Sequence, residues 1–312
     1  MIHILKPKRL RPNATFGVIT PASPVNEEKL ERGIRYFESL GYRIELGRHV
    51  HKKSPYLAGT DEERLADFHD MFRNPGIDAI ICARGGYGTP RILDRLDYDL
   101  IQQNPKIFVG YSDLTALQLA VFKKTGLITY SGPMLAVEFG AAEIDEHTER
   151  IFWQMLSEPV AFGKLEPIQR PHYEVLHHGH AEGRLLGGCL ALLNCILGTG
   201  FLPDFANSIL FIEDVGEIPM RIDRYFAQLR HAGILQQTNG IICGQFEDSE
   251  TEEDSQGWLN MMLEDYFSGL GKPALNKFDY GHIAQKHTMP IGAMARISTA
   301  PATVEIIESA VS

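Results

Sequence analysis

The chain has 312 residues, 44% of them hydrophobic and 22% charged, a composition that excludes a disordered, collagen-like or small disulfide-stapled polypeptide and has room for two domains. Forty acidic against thirty basic side chains leave a net charge of −10, so no global positive field draws the protein to nucleic acid or to an anionic membrane surface. The amino terminus lacks the apolar stretch of a secretory signal, and Gly, Pro or a charge interrupts every hydrophobic run before it reaches membrane-spanning length; a cytoplasmic protein is expected.

From Phe16 onward, short β-branched runs alternate with stretches of helical period, the pattern of βα units on a largely parallel sheet. FGVIT (16–20) reads as a first buried strand. After Asn26, the spacing of Leu30, Ile34, Phe37 and Leu40 predicts an amphipathic helix ending at Gly41, and RIEL (43–46) a second strand. Thr60 and Glu63 form a capping box ahead of a helix with Leu65, Phe68 and Phe72 on its apolar side, stopped at Asn74-Pro75-Gly76. DAIICA (78–83) is a third strand running into RGGYGTP (84–90), where Thr89-Pro90 can cap the next helix. IFVG (107–110) is a fourth, breaking at Tyr111-Ser112-Asp113 into the helical LTALQLAVFKK.

These elements predict an open α/β domain over residues 1–156, its largely parallel sheet flanked by helices. Residues 157–180 hold Pro159, Pro167, Pro171 and four histidines without sustained period and are read as a linker. A smaller mixed α/β domain over 181–312 follows. Its expected elements are strand EGRLL (182–186), a helix over GGCLALLNCILG, strand ILFIE (209–213), a helix opening at Pro219, strand GIICG, a helix near 257–268, and strands AMARIS and ATVEII. The acidic run 247–254 reads as a solvated loop. Cys82, Cys189, Cys195 and Cys243 form no C-x-x-C pair and sit in apolar runs, where a free thiol acts as a small hydrophobe in a reducing compartment.

Three segments could carry chemistry. In VGYSDLTALQ (109–118), a serine at a strand-to-helix turn projects its Oγ from the carboxyl edge of the sheet. Leu114 stands where G-x-S-x-G requires glycine, and an ordinary helix N-cap explains Ser112 about as well. RGGYG ends the preceding strand and should reach the same edge; its glycines fit neither a dinucleotide fingerprint nor a Walker loop. The base for an activated serine must come from twelve histidines. His177, His178 and His180 crowd together in the linker without a thiolate or carboxylate at ligand spacing, so they read as surface and no metal is assigned. His282 lies in a loop-rich stretch, and Glu213, Asp214 and Glu217 close a buried strand, where a carboxylate is costly unless used or paired.

Taken in order, RGGYG, GYSD with SGPM, EGRLLGGCLALL, IEDVGEIPMRIDRYFAQLRHAGIL, and YGH with PIG resemble the L,D-carboxypeptidases of murein recycling, a group that includes the microcin C self-immunity hydrolases. The resemblance implies a cytoplasmic, usually homodimeric serine peptidase with a Ser-Glu-His triad and no cofactor. Carried onto this chain, the triad is Ser112, Glu213 and His282, with Asp214 a close neighbour of the glutamate. The implied substrate is a murein tetrapeptide, cleaved to release terminal D-alanine through an acyl-enzyme. Backbone N–H groups of Asp113 and Gly86 would hold the oxyanion, and Arg84 is the candidate anchor for the substrate's terminal carboxylate, with Arg221, Arg224 or a backbone amide next in line. Hydrolysis of a peptidyl or aminoacyl nucleotide, and non-catalytic ligand binding on the same scaffold, are the alternatives.

Overall fold

Strands whose side chains are apolar on both faces can only sit in the middle of a layered α/β fold, and the first half of the chain is built on three of them. The computed structural model describes residues 3–168, 170–249 and 255–312. The chain runs through β1 (Thr15–Ile19), α1 (Glu27–Ser39), β2 (Arg43–Leu46), α2 (Asp61–Arg73), β3 (Ala79–Cys82), α3 (Tyr98–Gln103), β4 (Ile107–Gly110), α4 (Leu114–Thr125), β5 (Thr129–Ser131) and α5 (Glu146–Ser157). Strands β1 to β5 are parallel in the order β5-β4-β3-β1-β2, and every residue of β1, β3 and β4 is buried.

Helix starts follow the local chemistry. The Asn26 side chain accepts from the Lys29 N–H and opens α1. Thr60 accepts from the Glu63 N–H while Glu63 accepts from the Thr60 N–H, so both halves of the capping box form ahead of α2. Leu65, Phe68 and Phe72 are buried beneath it. The expected cap at Thr89 is not made. A 3-10 turn over Thr89–Arg95 does place Pro90 in its first turn, but the Thr89 hydroxyl donates to the Asp113 carbonyl instead.

The second half continues through β6 (Gly163–Leu165), β7 (Glu174–His177), β8 (His180–Cys189), α6 (Leu190–Cys195), β9 (Ser208–Val215), α7 (Pro219–His231), α8 (Ile234–Gln237), β10 (Gly240–Glu247), α9 (Ser255–Phe267), β11 (Ala274–Asn276), β12 (Met289–Ile291), β13 (Met294–Thr299) and β14 (Ala302–Ile306). Eight of these strands form a mixed sheet in the order β6-β14-β13-β8-β9-β10-β11-β7. Strands β6 and β7, from the proline-rich stretch 157–180, close its two edges. Strand β12 does not join this sheet; it lies antiparallel on β5 and completes the first one. Pro290 in β12 fits an edge position, where no ladder donor is required.

Strand β8 is longer than the EGRLL run, and the expected helix over 187–198 contracts to α6. The cause is close strand packing. A Cβ on Gly187 would lie 1.7 Å from the Phe211 carbonyl oxygen, so only glycine lets β8 continue beside β9. All four cysteines are free; Cys82, Cys189 and Cys243 are buried, and Cys195 is exposed. Of the acidic run, residues 250–254 lie outside the described residues.

Candidate active site

Strands β3 and β4 are parallel neighbours, so the loops leaving their carboxyl ends lie side by side. Between β4 and α4 the backbone turns within three residues, and Ser112 sits there with φ +68°. That left-handed conformation costs a non-glycine residue about 1–2 kcal/mol and is characteristic of strained functional turns. Asp113, not Ser112, occupies the N-cap position of α4. The Ser112 side chain is directed elsewhere: its Oγ lies 2.9 Å from His282 Nε2.

The other imidazole nitrogen, His282 Nδ1, lies 2.7 Å from Glu213 Oε2. With Nδ1–H donating to this carboxylate, Nε2 is left to accept the Ser112 hydroxyl proton. Glu213 is fully buried near the end of β9. Successive strand residues point to opposite faces, and this separates Glu213 from Asp214. Asp214 turns toward the start of α6, accepting the N–H of Ala191 at 2.8 Å and of Val215 at 2.9 Å. Burial, with Glu213 beside it, pushes the Asp214 carboxyl up to about 7. Glu217 pairs with Arg221 at 3.3 Å near the start of α7.

The glycine loop reaches the serine as the strand order predicts: a Cβ on Gly85 would stand 3.0 Å from Ser112 Cβ. Arg84, Gly85, Gly86, Ser112 and His282 line one cavity of about 350 Å³, joined by Asn26 and Lys29. The loop is tied to the serine turn by a contact the sequence did not reveal. The Asp113 carboxylate accepts the Thr89 N–H at 2.8 Å, and burial raises its affinity for a proton. Arg84 donates to the carbonyls of Gly85 at 3.1 Å and Pro24 at 3.3 Å. Among the described residues no carboxylate pairs with it, whereas the reserve anchor Arg221 is engaged by Glu217. Neither Arg221 nor Arg224 is among the described residues lining this cavity.

A second, larger cavity of about 940 Å³ meets the first at Tyr111, Val137 and His282 and runs along residues 141–148 and 283–286. Of the histidine-rich segment, His177 lies in β7 and His180 opens β8, neither is among the described residues lining the cavity at Ser112, and among the described residues no three His, Cys, Asp or Glu side chains are grouped to hold a metal ion.

Residues 16–132 match the LD-carboxypeptidase N-terminal domain, and residues 182–297 match the LD-carboxypeptidase C-terminal domain. The chain belongs to the LD-carboxypeptidase family. This is a serine hydrolase family. A probable murein peptide carboxypeptidase of Bacillus subtilis is 42% identical over 98% of this chain and 95% of its own length. Among solved structures, the microcin C7 self-immunity protein bound to aspartyl sulfamoyl adenosine superposes with a TM-score of 0.90, at 28% identity over 99% of this chain and 100% of its own. A muramoyltetrapeptide carboxypeptidase from Oxalobacter formigenes gives 0.83, at 30% identity over 94% and 97%. Both family halves lie in the order read from the sequence motifs, and the two-sheet α/β architecture is shared across these proteins.

Proposed function

We propose that the protein is a serine-type L,D-carboxypeptidase that removes the terminal D-alanine from murein tetrapeptides in the cytoplasm. The observation that carries this reading is the continuous relay Glu213–His282–Ser112, with spacings of 2.7 and 2.9 Å. Its support comes also from the 42% identity to a probable murein peptide carboxypeptidase.

In this scheme Ser112 Oγ attacks the carbonyl carbon of the L,D amide as its proton passes to His282 Nε2. Glu213 holds the imidazole in the receptive tautomer and stabilises the imidazolium. The carbonyl oxygen, now an oxyanion, is received by backbone N–H groups of Asp113 and Gly86, each such donor contributing about 2.7–4 kcal/mol in a comparable hydrolase. Collapse breaks the C–N bond, and His282 returns the proton to the departing D-alanine amine. A water molecule, deprotonated by the same imidazole, then hydrolyses the Ser112 ester. Arg84 faces the anionic end of the leaving residue and selects a terminal over an internal bond.

The test is to incubate the purified protein separately with a murein tetrapeptide and with an aminoacyl sulfamoyl adenylate and to weigh the products. Release of D-alanine from the tetrapeptide, abolished by Ser112→Ala, is expected. Cleavage of the adenylate alone would move the protein to nucleotide conjugates. Binding of either compound without turnover would make it a ligand-binding member of the fold.

A further inference from the structure

We infer that Glu138, Lys286 and the first turn of α5 form a strap that positions His282 against Ser112, an inference that rests on the hydrolase reading above. His282 comes from the second half of the chain, on a stretch between β11 and β12 that has no regular secondary structure around it. Upstream, the stretch is tied to β10, where the Phe278 N–H donates to the Cys243 carbonyl at 3.0 Å and the Gln245 N–H donates to the Tyr280 carbonyl at 2.9 Å. Just downstream of the histidine, the ties run to the first half.

Thr148, near the start of α5, donates its hydroxyl to the Ala284 carbonyl at 3.1 Å and accepts the Lys286 N–H at 2.9 Å. Gln285 Nε2 donates to Asp145 Oδ2 at 2.8 Å, while the other Asp145 oxygen accepts the Thr148 N–H and caps α5. One aspartate therefore fixes both the helix start and the loop docked on it. Lys286 Nζ, on a side chain 2% exposed, then pairs with Glu138 Oε1 at 2.6 Å. Three consecutive residues, 284–286, are thus bonded to the first half only two to four positions after the histidine.

Glu138 carries the connection on to the serine turn. Its Oε1 also accepts the Tyr111 hydroxyl at 2.7 Å, and its Oε2 accepts the Met134 N–H at 2.9 Å. Burial alone would favour a protonated Glu138, but the Lys286 ammonium and these donors hold its carboxyl below the usual range. The Lys286 ammonium stands 4.0 Å over the Tyr111 ring, and that ring lies 5.0 Å from the imidazole of His282. Tyr111 precedes Ser112 in the chain. The ion pair therefore registers the residue beside the serine against the loop that carries the histidine.

A buried ion pair is a weak source of stability compared with apolar residues of the same volume, whereas misplacing a reacting group by 1 Å can cost about a hundredfold in rate. The strap should then act on turnover more than on folding. Thr148→Val removes both hydroxyl contacts with almost no change of shape. With a murein tetrapeptide as substrate and full-length protein, it should lower kcat about tenfold or more and leave KM within about twofold. Thr148→Ser, which restores the hydroxyl, should recover the rate. The downfield proton resonance of the His282–Glu213 hydrogen bond should broaden in the valine variant and return in the serine variant. Glu138→Leu combined with Lys286→Met removes the pair without leaving a lone buried charge, and should show the same loss of kcat; it carries the test should Thr148→Val fail to fold. Folded variants with wild-type kcat and an unchanged resonance would overturn the strap. Ser112→Ala separates the two readings: an active Ser112→Ala protein overturns the hydrolase itself, while an inactive one beside fully active strap variants overturns only the inference.

Discussion

Glu213 and Asp214 show how neighbouring side chains are sorted by backbone direction. The paired acids of IEDVGE could not be told apart by spacing, since both close the same buried strand. Strand alternation decides it, because Glu213 turns to His282 while Asp214 turns to α6. Glu213→Gln should lower kcat by up to about 10⁴-fold, the loss seen when a triad acid becomes an amide, and Asp214→Asn should leave kcat within about threefold. Steady-state kinetics of the two folded variants check this, and equal losses would mean that Asp214 shares the relay. Arg84 has no carboxylate partner among the described residues and is free to take one from substrate. Arg84→Ala should cost about 2 to 5 kcal/mol in kcat/KM toward the free tetrapeptide. A tetrapeptide amidated at its terminal D-alanine should be cleaved slowly, and equally so, by both proteins. Undiminished cleavage of the amide by the wild type would show that no carboxylate anchor operates. The Asp113–Thr89 and Glu138–Lys286 ties were not legible, because a sequence can place two loops at one sheet edge without saying which of their side chains bond.

At the scale of elements, legibility followed length and period. Helices α1 and α2 and strand β4 were readable because each carries a cap, a periodic apolar face or an unbroken buried run. Strands β5, β11 and β12, of three residues each, are too short to show a period of two. The leucines of LALLNCIL gave a helical period that overran the strand, since close packing at Gly187 is a tertiary fact. The α2 cap gives a clean energetic test. Thr60→Ala removes the acceptor for the Glu63 N–H and should lower stability by about 1 kcal/mol, read as a shift in the urea midpoint at constant m-value. No change in the midpoint would show that water replaces the cap without loss.

For the whole molecule, the clearest titrating element is one outside the site. His287 is completely buried, and burial first, then the positive charge of Arg150, holds its imidazole down to about 3. Its folded value lies below the ordinary 6.5, so the stability it contributes is present above about pH 6.5 and is lost as the pH falls toward 3. The melting temperature should therefore decline on acidification below about pH 6.5, and His287→Gln should flatten that decline. Parallel profiles for the two proteins would assign the acid sensitivity to other groups.

Strand β12 has a consequence for how the molecule is made. The sheet that presents Ser112 is completed by residues 289–291, which are synthesised long after β5. While the ribosome is still translating the second half, β5 is an open edge, and an open edge is a template for pairing with the wrong chain. The serine turn thus precedes both its completed sheet and His282 in synthesis, and on the proposed reading a chain that has not yet reached His282 cannot turn over substrate. A gene cut after residue 160 should yield an amino-terminal fragment that aggregates when expressed alone and becomes soluble when the remaining fragment is expressed beside it. A fragment that is soluble and monomeric by itself would show that the β5 edge is harmless without its late partner.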